Sequence, residues 1–245
     1  MSRLKKILFR TKTFIHCLAV YIIFSFSTST QANPKLFPTF YVDFGVGLST
    51  YKSEAVESND TSVAGGYTLG INAGRENTVE MLVSTETSTT NFSYASSEDK
   101  SKIDTNIQDV ILRVRWGPVY IGPVFNQMQF VVSRRDVEYL DSMGAGNGLN
   151  TGTVFEVGKG NLVFVDVISA TTLAVKEAVQ DSTSAAVSYG PRTEVQFGGI
   201  LKLTKRLLDM KISYKQRNYS VTVGDETFNE IQTFTWIGLG LNFSF

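Results

Sequence analysis

Charged side chains of both signs recur at alternate positions in several stretches of this 245-residue chain. In 105–116, Asp109, Arg113 and Arg115 alternate with Val110, Leu112, Val114 and Trp116; in 208–221, Asp209, Lys211, Lys215 and Arg217 alternate with Leu208, Met210, Ile212 and Tyr214. Asp43, Glu80, Glu156, Asp166, Glu194 and Lys202 hold comparable positions elsewhere. Acids and bases that share one face can pair with one another or line a wet passage, whereas against hydrocarbon each would be costly.

Other chemistry is poorly supplied. The single His and single Cys, His16 and Cys17, lie in a leader-like segment: Arg3, Lys5, Lys6, Arg10 and Lys12 precede the apolar run Phe14–Phe26, and a polar stretch ends in Thr30-Gln31-Ala32. That order is the pattern of a secretory signal peptide cut after Ala32, and the run is too short to span a bilayer comfortably as a helix. The expected organisation is therefore 1–32 signal peptide and 33–245 a single domain. Removing the five leader cations from 23 Lys and Arg leaves 18 against 23 Asp and Glu, a formal charge of −5. Without His or Cys the domain has no Ser-His-Asp triad, Cys-His pair, His-ligated zinc or disulfide. No Asp-only or Ser-Lys pair is suggestively spaced, so no catalytic residue, cofactor or metal is expected. The charge balance also excludes a polybasic nucleic-acid binder.

Two further clusters are weighed against simpler readings. Gly144-Ala145-Gly146-Asn147-Gly148 lacks the following helix that a phosphate-binding turn requires and reads as loop or backbone relief. Glu54, Glu57 and Asp60, and likewise Asp225, Glu226 and Glu230, lack calcium-loop spacing and read as solvated loop surface.

The elements that position the charges are strands. From Phe40 onward the dominant period is two, over ten segments near 40–50, 63–74, 78–89, 105–116, 119–132, 149–157, 162–174, 191–203, 208–221 and 231–245. Short connections at 75–77, 117–118, 158–161 and 204–207 alternate with long polar ones at 51–62, 90–104, 133–148, 175–190 and 222–230. Leu173 to Gln180 could equally form a helical turn. One apolar and one polar face, an even strand number and loop asymmetry are the needs of a closed sheet in lipid, where every backbone group must be paired. The expected fold is all-β: a closed antiparallel up-and-down transmembrane barrel of about ten strands, with eight or twelve as alternatives. A soluble sandwich with its charged face in water explains the alternation equally well.

The C-terminus separates these readings. Ile237, Leu239, Leu241, Phe243 and Phe245 share one face, with Gly238, Gly240, Asn242 and Ser244 on the other. In this the chain resembles the bacterial outer-membrane β-barrel superfamily, whose last strand carries a Gly-x-x-aromatic-x-aromatic signal; Gly240, Phe243 and Phe245 fill it. The resemblance implies an outer-membrane location in a Gram-negative cell. It also implies recognition by the barrel-assembly machinery, and contact with outer-membrane lipid and lipopolysaccharide. A monomer without nucleic-acid partners is expected. Phe40, Tyr41, Trp116, Tyr120, Phe243 and Phe245 would form an aromatic girdle at the short-turn interface.

Asp109, Arg113, Arg115, Glu156, Asp166, Glu194, Lys211, Lys215 and Arg217 are the candidate lumen charges. A ten-strand bore is small enough for such residues to fill it. The leading functional expectation is a structural or surface-interaction barrel acting through its outer loops. The alternatives are a narrow channel for small solutes or ions and a His-free barrel hydrolase.

Overall fold

The computed structural model describes residues 39–53, 61–73, 79–93, 100–134, 137–158, 161–179, 187–204, 207–223 and 226–244. The expected leader, Glu54, Glu57, Asp60, Asp225 and Phe245 lie outside them. The strands are β1 (Thr39–Ser53), β2 (Thr61–Ala73), β3 (Val79–Ser93), β4 (Lys100–Trp116), β5 (Val119–Arg134), β6 (Val137–Val157), β7 (Asn161–Ala170), β8 (Leu173–Val179), β9 (Val187–Tyr189), β10 (Arg192–Lys202), β11 (Leu208–Val223) and β12 (Glu226–Ser244).

β1 pairs with β12 from Thr39↔Ser244 to Ser53↔Glu230 and β10 pairs with β11, so the sheet closes on itself. β7 and β8 both pair with β6, and β9 and β10 both pair with β11, so each couple is one interrupted stave. The ring therefore has ten staves, all antiparallel to their neighbours.

The interruptions keep their backbone groups satisfied, as a buried wall requires. At Thr171–Thr172 the Thr171 N–H donates to the Asn147 carbonyl at 2.9 Å, and Asn126 Nδ2 donates to Thr172 Oγ1 at 3.0 Å. At Gly190–Pro191 the proline has no N–H to give, and the Gly190 N–H reaches the Ser220 carbonyl at 2.9 Å. The short-turn end holds tight reversals: Gly117-Pro118 links β4 to β5 with Gly117 at φ 55°, and Gly158 follows β6 at φ 49°.

Several expected loops are strand. β6 begins at Val137 rather than near 149, so Gly144-Ala145-Gly146-Asn147-Gly148 is not a loop. Its even-numbered glycines face inward because neighbouring backbone presses on them: a Cβ at Gly146 would lie 1.8 Å from the Thr171 carbonyl oxygen. An inner face made of glycine offers no apolar alternation to read. Residues 173–179 also pair as strand instead of forming a helical turn, and β3 and β4 run on to Ser93 and from Lys100.

The outward face is apolar around the ring: Val46 is 65% exposed, Val63 67% and Trp116 76%, alongside Phe44, Phe125, Phe155, Phe197, Ile212, Ile237 and Leu239. Water would not tolerate so large an apolar surface, whereas hydrocarbon does. In β1 this row runs from Phe40 to Leu48; at about 3.3 Å per residue and about 45° of tilt that is a band on the order of 20 Å tall, near the height of a lipid-facing belt. The chain is thus an integral β-barrel of the outer-membrane type.

Above the belt the polarity inverts. Outward positions become Thr50, Thr87, Asn106, Gln108, Gln127, Gln129, Gln216 and Asn218, and the inward ones combine large apolar side chains with hydrogen-bonded hydroxyls such as Ser49, Ser62 and Thr90. Tyr51, Ile103, Ile107, Met128, Phe130, Tyr189, Tyr219 and Val221 form one buried cluster inside the long-loop end. The strands, up to 21 residues long, therefore rise out of lipid as a water-facing barrel with an apolar filling. The expected solvated Glu230 is instead 4% exposed on the inner wall.

Candidate functional site

The bore is the only place where charge concentrates among the described residues, and it is layered. At the inner, short-turn mouth lies a cavity of about 500 Å³, whose lining includes Asp43, Glu80, Arg115, Phe164, Lys202 and Lys211. Lys202 Nζ meets Asp209 Oδ2 at 2.6 Å, and Asn242 Nδ2 donates to the same oxygen at 2.6 Å. Arg115 is half-buried at this rim and donates Nε to the Gly117 carbonyl at 2.8 Å.

One layer deeper, Arg113 from β4 is fully engaged. Its Nε donates to Asn150 Oδ1 at 2.5 Å, Nη1 to Glu80 Oε2 at 3.1 Å and Nη2 to Asp166 Oδ2 at 2.9 Å. The guanidinium lies 4.4 Å from the Tyr120 ring centroid. Tyr120 donates its hydroxyl to Asp166 Oδ1 at 2.9 Å, and Tyr41 donates to Glu80 Oε1 at 2.7 Å. The phenols expected in a lipid-facing girdle thus point inward. They complete the acceptors of two carboxylates, and a buried carboxylate needs such donors. Trp116 and Phe243 do face outward.

The third layer crosses the bore. Arg217 of β11 donates Nε to Glu194 Oε2 of the neighbouring β10 at 2.8 Å, with Nη2 in ion-pair contact with the same oxygen at 2.8 Å, and Nη1 contacts Glu86 Oε1 of β3 at 2.8 Å. Lys215 pairs with Glu86 and lies 3.7 Å from Glu194 Oε1. Its ammonium sits 4.9 Å from the Phe234 ring centroid. Arg192 of β10 donates Nη2 to Asp109 of β4 at 2.8 and 2.9 Å. β3 and β11 are four staves apart in the ring, as are β4 and β10, so these pairs span the lumen. Three acids meet three bases, and the layer is neutral as a set. Taking isolated charges this far from water would cost several kcal/mol each, which explains why none stands alone.

A smaller cavity of about 170 Å³ lies beside this layer, between Asp43, Glu86, Asp109, Lys215 and Trp236. Beyond it the apolar cluster fills the long-loop end.

The expected lumen charges fall into three groups. Asp109, Arg113, Asp166, Glu194, Lys215 and Arg217 lie in the ion-paired layers. Lys211 lines both cavities with its ammonium 5.0 Å from the Phe164 ring centroid. Arg115, half-buried, and Glu156, exposed at the inner end of β6, lie at the short-turn rim outside those layers. Sequence reasoning missed Glu86 and Arg192. Glu86 shares the parity of Glu80 in β3 and was legible on that ground, whereas Arg192 follows a Gly-Pro break that disguises its register. Gly240 faces inward beneath Asp43, 2.5 Å separating a Cβ placed there from Asp43 Oδ1.

No family model matches the chain, and no curated protein matches it. Among solved structures it is similar to the outer membrane protease OmpT from Escherichia coli, at 8% identity and a TM-score of 0.48 over 88% of this chain and 99% of that one. It is also similar to the translocator domain of the autotransporter NalP from Neisseria meningitidis, at 12% identity and 0.45 over 96% and 98%. A third is Neisserial surface protein A, at 13% and 0.40 over 83% and 97%.

Proposed function

We propose that this chain is an outer-membrane protein of a Gram-negative cell that works as a closed, non-conducting barrel, holding its long-loop end at the cell surface for contact with lipopolysaccharide or an external partner. The observation that carries the reading is the bridging of the bore by Arg217, Lys215 and Glu86 from opposite walls, backed by the apolar cluster above them. A narrow channel needs a continuous wet path; a crossed ion-pair layer followed by a packed, largely apolar cluster interrupts it. Each carboxylate of the ion-paired layers is engaged by a cation, which leaves none of them poised as a general base.

Export and assembly belong to the same reading. Residues 1–32 would direct secretion and be removed after Ala32, and Gly240, Phe243 and Phe245 would be read by the barrel-assembly machinery. A monomer needs no further subunit, since the ring closes on itself.

The test is single-channel recording of the refolded protein in a planar bilayer, with heat-modifiable gel mobility establishing the folded barrel. Silence is expected. Discrete steps that change with Arg113→Glu or Lys211→Glu would overturn the closed-barrel reading in favour of a channel.

A further inference from the structure

The inner cavity contains two charges that have neither an ion pair nor a side-chain hydrogen bond. Asp43 on β1 and Lys211 on β11 both line it, and both also line the smaller cavity next to it. Among the described residues neither makes a salt bridge within 4.0 Å or a side-chain hydrogen bond. The acids and bases of the deeper layers each have an ion-pair partner, and in this Asp43 and Lys211 differ from them.

The strand between them explains the gap. β12 separates β1 from β11, and its facing residues are glycines: Asp43 pairs with Gly240 and Lys211 with Gly238. Two strand spacings of about 4.8 Å place the two backbones roughly 10 Å apart, across a floor that carries no side chain. A lysine is long enough to cross much of that distance. Lys211 instead leans the other way, across β10, where it is registered with Ile200, to the face of Phe164. Asp43 rests its carboxylate over the bare Gly240, where a methyl group would strike Oδ1. The result is a slot with a glycine floor at β12, flanked by an acid and a base that both line the cavity.

We infer that this slot is a binding site for a small zwitterion, an amino acid or short peptide, whose ammonium docks on Asp43 and whose carboxylate docks on Lys211. Charged groups that are partly withdrawn from bulk water and lack a partner in contact favour a ligand that supplies both counter-charges at once, because each gains a charge-assisted hydrogen bond. A lone anion or cation satisfies one and leaves the other. The cavity, at about 500 Å³, falls in the size range of small-molecule sites. Tyr41, Phe164 and Ile200 on its wall would take the apolar part of the ligand, while Gln196, Asn72 and Asn242 offer amides to a peptide bond. The mouth lies at the short-turn end, so the ligand would arrive from the periplasmic side.

The test uses the full folded barrel in detergent. Of the two tryptophans, Trp236 lines the neighbouring cavity, so in a Trp116→Phe background its fluorescence reports the slot. Titration with dialanine is expected to give a saturable change, and N-acetyl-dialanine amide, the same chain without charges, is expected to give none. Lys211→Met and Asp43→Asn should each weaken dialanine by about tenfold or more, the cost of one charge-assisted contact. Heat-modifiable mobility shows that each variant is folded; should one fail to fold, the other variant and the blocked peptide still decide. An equal response to the blocked peptide or to acetate, binding unmoved by the folded variants, or no saturable change overturns the inference. The outcome is independent of conductance: a barrel that conducts but does not bind dialanine, or binds it and stays silent, separates this site from the closed-barrel reading.

Discussion

Arg192 reaches across the bore to Asp109, its Nη2 donating to both carboxylate oxygens at 2.8 and 2.9 Å from a stave four places away around the ring. The guanidinium is fully buried. A bond of this kind ties opposite walls of a closed sheet together, which no ladder hydrogen bond between neighbouring strands can do. It also makes each partner depend on the other for its solvation.

That dependence predicts an asymmetric mutational response. Arg192→Met leaves Asp109 buried with no cation beside it and should cost about 3–5 kcal/mol of stability. Adding Asp109→Asn removes the stranded charge and should recover much of the loss. Urea-dependent unfolding of the refolded barrel, followed by gel mobility, measures both. Equal losses from the single and double variants would show that the pair acts only through packing.

Closure by two unlike layers makes opening cooperative. Glu86→Ala with Arg217→Ala removes the bridges that Glu86 makes across the bore, leaving Arg192–Asp109 and the apolar cluster, and Met128→Ala with Phe130→Ala opens the cluster instead. Neither double variant is expected to conduct, while the quadruple variant should show discrete steps in a planar bilayer. Current through the first double variant alone would mean that the apolar layer does not seal the bore.

Much of this architecture was legible in the residue pattern. Ten alternating segments correspond to ten staves, because the lipid belt demands apolar residues at every second position and rewards nothing else there. The outer extensions were less legible. Once a strand leaves lipid, its outward residues turn polar, as Gln127 and Gln129 do in β5, and its inward ones turn apolar or become glycine, as in β6. The period survives but its polarity flips, and a reader seeking outward apolar residues sees a loop. The inward turn of Tyr41 and Tyr120 was hidden for another reason. An aromatic near a strand end suits either an interfacial girdle or a carboxylate in the bore, and only its partner across the barrel decides. Arg113 and Arg217 could be placed on the inner face by parity; which acids they meet depends on how the ring closes, which sequence spacing does not encode.

Gly70 shows how closely side chains are fitted against the wall. A Cβ there would lie 2.1 Å from Tyr41 Cζ, so the Tyr41 ring lies directly over the glycine while its hydroxyl donates to Glu80. Gly70→Ala should displace the ring, break that hydrogen bond and cost about 1–3 kcal/mol, the usual range for overpacking. Tyr41→Ala should make Gly70→Ala nearly neutral, since the obstacle is then gone. Unfolding midpoints of the four-member cycle test the coupling; additive losses would show that Gly70 is required for backbone conformation rather than for space.

The height of the lipid belt is testable with single charges. Phe44 lies midway along the outward row from Phe40 to Leu48 in β1 and is 56% exposed, so Phe44→Arg would place a guanidinium near the centre of the hydrocarbon. A cost of about 2–4 kcal/mol is expected there, against about 0–1 kcal/mol for a charge near the interface. Gln127 of β5 is outward too, but it sits one outward position above Phe125, where the polar rim begins. Gln127→Arg should therefore be nearly neutral. Both variants retain the inner face untouched, so packing of the bore cannot account for a difference. Unfolding free energies in lipid vesicles supply the comparison, and a cost for Gln127→Arg equal to that for Phe44→Arg would move the membrane boundary outward, into the region now assigned to water.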